Sequence, residues 1–247
     1  MMGPPTKTGR LALIGGHSIL GAEPGAGFER RRVETAEGPV ELYERGPTVL
    51  MQRHGLEGYT TAAKLDHARN LRALAALGCD RILAIGSVGS LRAELPVGSF
   101  VCPDDFIALQ LGLSLDDAHG GERVPGFDPP WRARLIEAWA RSAEPPLRDG
   151  GVYWQAIGPR FETPAEIRLI ASHADVIGMT IASECILAGE LGIPYAAVCV
   201  VDNLANGVAA DPLSVAEFEA GKTANRVRLI DAVDAVAARL ESEEGAP

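Results

Sequence analysis

Apolar residues along the chain fall into two rhythms. Short runs rich in Val, Ile and Leu occupy residues 11–15, 48–52, 81–85, 151–156 and 195–201. Such runs, with little polar alternation, predict strands buried on both faces of a sheet. Between them the apolar period becomes helical. Residues 61–77 bring Leu65, Ala68, Leu71, Leu74 and Leu77 onto approximately one face, and Trp131, Leu135, Ala138 and Trp139 repeat in the same way.

Polar residues mark where helices begin and end. Thr163-Pro164-Ala165-Glu166 is a capping box with proline at the first helical position. Ser214-Val215-Ala216-Glu217 is a second box, opening a C-terminal helix that runs towards Leu240. Gly192 is placed to end a helix over residues 183–191. Residues 111–130 read as a long polar loop containing Gly and Pro, either a lid or a surface excursion. Strands alternating with helices predict an α/β fold with a mainly parallel sheet, helices on both faces and ligands at the loops beyond the strand ends. No repeat or low-complexity segment divides the chain. Residues 1–247 are therefore expected to form one domain, with residues 1–10 and 241–247 as flexible termini.

Composition narrows the function classes. With 47% hydrophobic residues, 5% aromatic, 28 Gly and 17 Pro, the chain suits a sheet with many tight turns better than a helical bundle. A formal charge of −10 argues against nucleic acid or an anionic membrane as partner, because both bind basic surfaces. Any anion site must then be local, built from a few aimed donors. No apolar run reaches the ~18 residues of a membrane span, and residues 1–10 lack a signal-peptide core. Cys79, Cys102, Cys185 and Cys199 are widely spaced without a CxxC. That spacing disfavours a zinc or redox site and suits a reducing cytoplasm.

Five polar segments follow apolar runs. Ile14-Gly15-Gly16-His17-Ser18 joins glycines, which let backbone approach an anion closely, to side-chain donors; a simple turn is the alternative. Gln52-Arg53-His54-Gly55-Leu56-Glu57 offers the Arg53 fork, suited to phosphate oxygens, or else a surface turn. Gly86-Ser87-Val88-Gly89 exposes backbone N–H groups and a hydroxyl. In Gly158-Pro159-Arg160-Phe161-Glu162-Thr163, Glu162 either favours the following helix dipole or points into a pocket. Gly178-Met179-Thr180 and Val201-Asp202-Asn203 complete the set.

The order and spacing of these segments resemble the trimeric purine nucleoside phosphorylase and methylthioadenosine phosphorylase family over residues 11–230, most specifically through Gly158–Glu166 and Asp175–Thr180. The resemblance implies a single-domain α/β fold whose mixed, mostly parallel sheet forms a partial barrel flanked by helices. It also implies a cytoplasmic homotrimer in purine salvage. Its implied partners are a purine nucleoside and inorganic phosphate as co-substrate, with no metal or organic cofactor. By position, His17, Ser18, Arg53, His54, Ser87 (through its backbone N–H) and Thr180 are expected to bind phosphate. Tyr153 and Met179 are expected at the ribose, and Phe161, Glu162 and Asn203 at the purine. Asn203, Glu162 and Glu57 are the expected catalytic groups, Glu57 through the phosphate network.

Base choice follows from hydrogen-bond chemistry. A Glu162 carboxylate only accepts, and a 6-oxopurine presents N1–H to it, whereas adenine presents a bare acceptor. Asn203 can donate to O6 or N7. Members favouring adenine usually carry Ser and Asp at these two places. The implied activity is phosphorolysis of an inosine- or guanosine-type nucleoside. Nucleoside-type members place a histidine near the start of the C-terminal helix to reach the ribose 5′-hydroxyl. This chain has Leu213-Ser214-Val215 there, and Leu213 and Val215 make an apolar pocket suited to a 5′-methylthio group. His17-Ser18 and Gly86 depart from the family pattern at the phosphate site. Hydrolysis by water, methylthioadenosine phosphorolysis and non-catalytic nucleoside binding are the alternatives.

Overall fold

A computed structural model describes residues 9–16, 25–115, 123–209 and 213–244. His17, Ser18 and residues 1–8 and 245–247 of the expected flexible termini lie outside the described residues, whereas residues 241–244 are helical.

In chain order the strands are β1 (Leu11–Gly15), β2 (Glu29–Val33), β3 (Val40–Arg45), β4 (Thr48–Gln52), β5 (Arg81–Ser90), β6 (Phe100–Cys102), β7 (Asp105–Ile107), β8 (Leu147–Asp149), β9 (Val152–Gln155), β10 (Val176–Gly178) and β11 (Tyr195–Leu204). The helices are α1 (His67–Ala76), α2 (Pro129–Ser142), α3 (Pro164–Ile170), α4 (Ile181–Glu190) and α5 (Val215–Glu244). One path through the sheet runs β2-β3-β4-β1-β5-β10-β9-β7, while β11 pairs with β5 and β6, and β6 with β8. Six of the ten strand pairs are parallel and four antiparallel.

The sheet forks at β5. Its first residues pair with β1 from Leu11↔Arg81 to Ile14↔Ala84. Beyond the end of β1 the same edge would be left unpaired, which is costly for buried backbone. There β10 takes it up through Ile177↔Gly89 and Val176↔Ser90. The other edge of β5 is covered by β11 from Ile82 to Ser90.

Strand side chains alternate between two cores, as the pleat requires. Ala12, Ile14, Ala84, Ala197 and Cys199 pack with α1 and α4 through Leu71, Leu74, Ile181 and Cys185. Leu11, Leu13, Leu83, Val198 and Val200 pack with α2 and α5 through Trp131, Leu135, Leu229 and Val236. Burial on both faces is why these strands read as continuous apolar runs.

The predicted bounds of β1 and β4 coincide with those observed, whereas β5 and β11 extend to Ser90 and Leu204. The single helix expected over residues 61–77 is interrupted. A short 3-10 turn spans Ala62–Lys64, and α1 begins only after Asp66, whose side chain accepts the Arg69 N–H at 2.9 Å. Both halves of the Thr163 capping box are formed. Gly192 follows α4 with φ 70°, a left-handed conformation that ends the helix.

Candidate active site

A cavity of about 230 Å³ opens over the C-terminal ends of β4, β5, β10 and β11. For the parallel strands β4, β5 and β11 this is the end where loops converge on ligands, and β10, antiparallel to β5, adds Ile177 and Gly178 to the wall.

Arg53 follows β4 and is buried, with only 2% of its surface exposed. Its Nη2 donates to Glu184 Oε2 at 2.8 Å, its Nε donates to Glu184 Oε1, and its Nη1 donates to the Ile85 carbonyl at 2.9 Å. Tyr195 Oη donates to the same carboxylate at 2.7 Å. Burial works against the Glu184 charge, yet the Arg53 guanidinium outweighs it and holds the carboxyl below its ordinary value. Burial pushes the neighbouring His67 imidazole towards its neutral form. The guanidinium keeps N–H groups beyond these three bonds, and Arg53 lines the cavity. Gly16 makes the arrangement possible. A Cβ there would sit 2.5 Å from Arg53 Nη1 and 2.7 Å from the Ile85 oxygen.

His54 Nδ1 lies 2.7 Å from the Thr60 carbonyl, so it carries the proton, and its ring stacks on Tyr59 at 4.9 Å. Thr180 is the N-cap residue of α4, yet its hydroxyl makes no cap bond. The Thr180 and Ile181 N–H groups donate instead to Tyr153 Oη, at 3.2 and 3.4 Å. The Thr180 side chain is thereby left to the cavity. Ser87, half-buried on β5, lines the cavity and donates its hydroxyl hydrogen to Asp202 Oδ2 at 2.5 Å.

Past Ser87 along β5 the wall changes character. The β11 register shifts between Val201 and Asn203, a bulge of the kind that re-aims side chains. Asn203 Nδ2 donates to the Leu204 carbonyl at 2.9 Å and would lie 3.1 Å from a Cβ on Gly89. Phe161 and Glu162 enter from the β9–α3 connection, where Asn206 Nδ2 holds the Glu162 carbonyl at 3.2 Å. Burial pushes the Glu162 carboxyl up from its ordinary value. Arg160 does not offset this strongly, because its guanidinium is spent on Glu166 at 2.8 Å.

The cavity thus brings together Arg53, His54, Ser87, Thr180, Met179, Phe161, Glu162, Asn203 and Leu213. Three expected site residues do not join them. Glu57 is not at the cavity: its side chain is 74% exposed and paired with Arg30 Nη2 at 2.6 Å. Tyr153 is not at the cavity surface, because it lies behind Gly178, where a Cβ would be 2.5 Å from its hydroxyl oxygen. Val215 is 68% exposed on the first turn of α5 and does not line the cavity.

Glu184, Tyr59, Asn206 and Phe218 are the residues that sequence reasoning misses. A buried acid such as Glu184 within α4 needs a buried cation, and Arg53 was the signal available. The Ser214 cap position set Phe218 in the first turn of α5, where its ring packs edge-on against Phe161 at 5.7 Å. Among the described residues no group of three or more His, Cys, Asp or Glu is placed to hold a metal ion. No helix among them is long and apolar enough to cross a membrane.

Comparison with known proteins agrees with this geometry. A model of the phosphorylase superfamily matches residues 6–238. The probable 6-oxopurine nucleoside phosphorylase of Archaeoglobus fulgidus is 38% identical over 202 residues, covering 80% of this chain and 83% of the relative. The probable S-methyl-5′-thioinosine phosphorylase of Methanothermobacter thermautotrophicus is 34% identical, covering 96% and 86%. Methylthioadenosine phosphorylase from Schistosoma mansoni, solved with adenine, shares the fold with a TM-score of 0.80 at 24% identity, covering 95% of this chain and 96% of that one. The chain belongs to the phosphorylase superfamily.

Proposed function

We propose that the protein catalyses phosphorolysis of 6-oxopurine nucleosides, releasing the base and forming a ribose 1-phosphate. The observation that carries this reading is one cavity lined by two unlike sets of groups: Arg53, His54 and Thr180, suited to an anion, and Glu162 and Asn203, suited to a purine base. The relatives named above act, by name, on 6-oxopurine nucleosides and S-methyl-5′-thioinosine.

In this reading phosphate, held by Arg53, His54 and Thr180, attacks the anomeric carbon from the face opposite the base. The N-glycosidic bond breaks, and its electron pair leaves with the purine. Charge then develops on the base, where Asn203 can donate a hydrogen bond. Rate enhancement comes from positioning and from donors aimed at developing charge, with no protein nucleophile. Glu162 accepts from N1–H and so selects the 6-oxo base. Leu213 presents an apolar side chain to the cavity, which supports a 5′-methylthio substrate alongside inosine and guanosine.

The four cysteines are buried and unpaired, which supports a reducing cytoplasm as the compartment. A homotrimer belongs to the same proposal and rests on family resemblance; sedimentation tests it. The activity is tested by base release from inosine and 5′-methylthioinosine, each with and without phosphate. Release that requires phosphate and yields the sugar 1-phosphate is expected. Release at the same rate without phosphate would replace this reading with a hydrolase.

A further inference from the structure

Ser87 lines the cavity with an unusual polarity. Arg53 lines the same cavity, and its Nη1 binds the carbonyl of Ile85, two residues earlier on the Ser87 strand. Arg53 is a pure donor, so the cavity wall beside it suits any tetrahedral oxyanion equally. Ser87 differs. Its single hydroxyl hydrogen is given to Asp202 Oδ2 at 2.5 Å, so towards a ligand its oxygen can act only as an acceptor.

Asp202 is fixed in this role. It is 1% exposed, and its other oxygen, Oδ1, accepts from Asn225 Nδ2 at 2.8 Å. Asn225 also donates to the Val201 carbonyl at 3.0 Å, tying α5 to the end of β11. Gly221, one turn earlier, lets the helix come close, since a Cβ there would lie 1.8 Å from the Asp202 backbone carbonyl oxygen. The carboxylate is thereby held with Oδ2 towards Ser87.

We propose that Ser87, held as an acceptor by Asp202, takes a hydrogen bond from the P–OH of the bound phosphate and so distinguishes phosphate from fully deprotonated oxyanions such as sulfate. Ser87 is the specificity-determining residue and Asp202 a positioning residue. The proposal rests on the phosphorylase reading. It places an acceptor for the phosphate proton at Ser87, while Glu57 lies outside the cavity on Arg30.

The test measures phosphate KM and the inhibition constant of sulfate, with inosine as co-substrate, for the wild type, Ser87→Ala and Asp202→Asn. Sulfate should bind the wild type at least about tenfold more weakly than phosphate, the scale of one hydrogen bond to a charged group. Ser87→Ala should remove most of that preference. Asp202→Asn turns an amide N–H towards Ser87, which frees the hydroxyl to donate, and should improve sulfate binding in absolute terms. Thermal shifts of each folded variant in phosphate and in sulfate give the same ratio without turnover. An unchanged ratio in active variants would overturn the proposal, as would a defect confined to nucleoside KM, which would assign Ser87 to a sugar hydroxyl. A wild type that releases base without phosphate would overturn the underlying reading as well, and is told apart by that result alone.

Discussion

Glu184 receives the Arg53 side chain through two hydrogen bonds beneath the cavity, the Nη2–Oε2 distance being 2.8 Å. Both side chains are almost fully buried, at 1% and 0% exposure. Removing one partner leaves the other charge buried and unpaired, which typically costs about 3–5 kcal/mol. Glu184→Ala should show a loss of this size in denaturant unfolding. Glu184→Gln keeps the shape but not the charge, and should raise phosphate KM by about tenfold or more while inosine KM changes little. The pH dependence has a defined sign. Arg53 holds the Glu184 carboxyl below its ordinary value against the effect of burial. Its contribution to stability is therefore present above the ordinary glutamate range and is lost as pH falls through the lowered value. Unchanged phosphate KM in a folded Glu184→Gln protein would show that Arg53 needs no such support.

Glu162 shifts the opposite way, because burial disfavours its charge. The carboxylate accepts N1–H more strongly than the protonated acid does, so kcat/KM for inosine should fall on the acid side, with a midpoint above the ordinary carboxylate value. Glu162→Gln should abolish that acid limb and lower kcat/KM for inosine by about ten- to a hundredfold, the cost of one mispaired buried polar group. Adenosine should lose less, narrowing base choice. A variant with an intact acid limb would assign the titration to another group.

The buried strands are legible in the sequence because burial on two faces leaves no polar residue to interrupt them. Most short edge strands are not. In β2, Glu-Arg-Arg-Arg-Val carries one apolar residue, and it is held by pairing Arg30 and Arg31 with Glu41 and Glu44 of β3. At the site, Arg53, Thr180, Glu162 and Asn203 stand out as polar residues just past apolar or turn segments. Glu184 does not, because its partner is 131 residues away and nothing in its own helix marks it apart from Glu190. Tyr153 shows the limit of reading roles by position. Strand alternation decides which face a residue takes, and here that face puts its hydroxyl under the start of α4 rather than in the cavity.

Tyr153→Phe tests that placement. Without the hydroxyl oxygen, the Thr180 and Ile181 N–H groups lose their acceptor in a buried setting. A loss of about 1–3 kcal/mol in unfolding free energy is expected. If Tyr153 acted on the ribose instead, nucleoside KM would rise and stability would hold.

Glu57 offers a contrasting case. Its carboxylate is exposed on Arg30, where solvent screens the pair. Glu57→Gln should leave phosphate KM within about twofold and stability within about 0.5 kcal/mol. A tenfold rise in phosphate KM would return Glu57 to the catalytic network.

Leu213 and Val215 separate two accounts of the 5′ end. Leu213 lines the cavity, whereas Val215 stands two residues on and points to solvent. An apolar wall favours a methylthio group, and one such group in an apolar pocket is worth about ten- to two-hundredfold in kcat/KM. A hydroxyl gains from a donor instead. Leu213→His supplies one, so the ratio of kcat/KM for 5′-methylthioinosine to that for inosine should fall by about tenfold or more. Val215→Ala, changing a side chain outside the cavity, should leave the ratio where it was. If both variants leave it unmoved, the 5′ substituent contacts some other wall, and Phe218, in the first turn of α5 and against Phe161, becomes the residue to change.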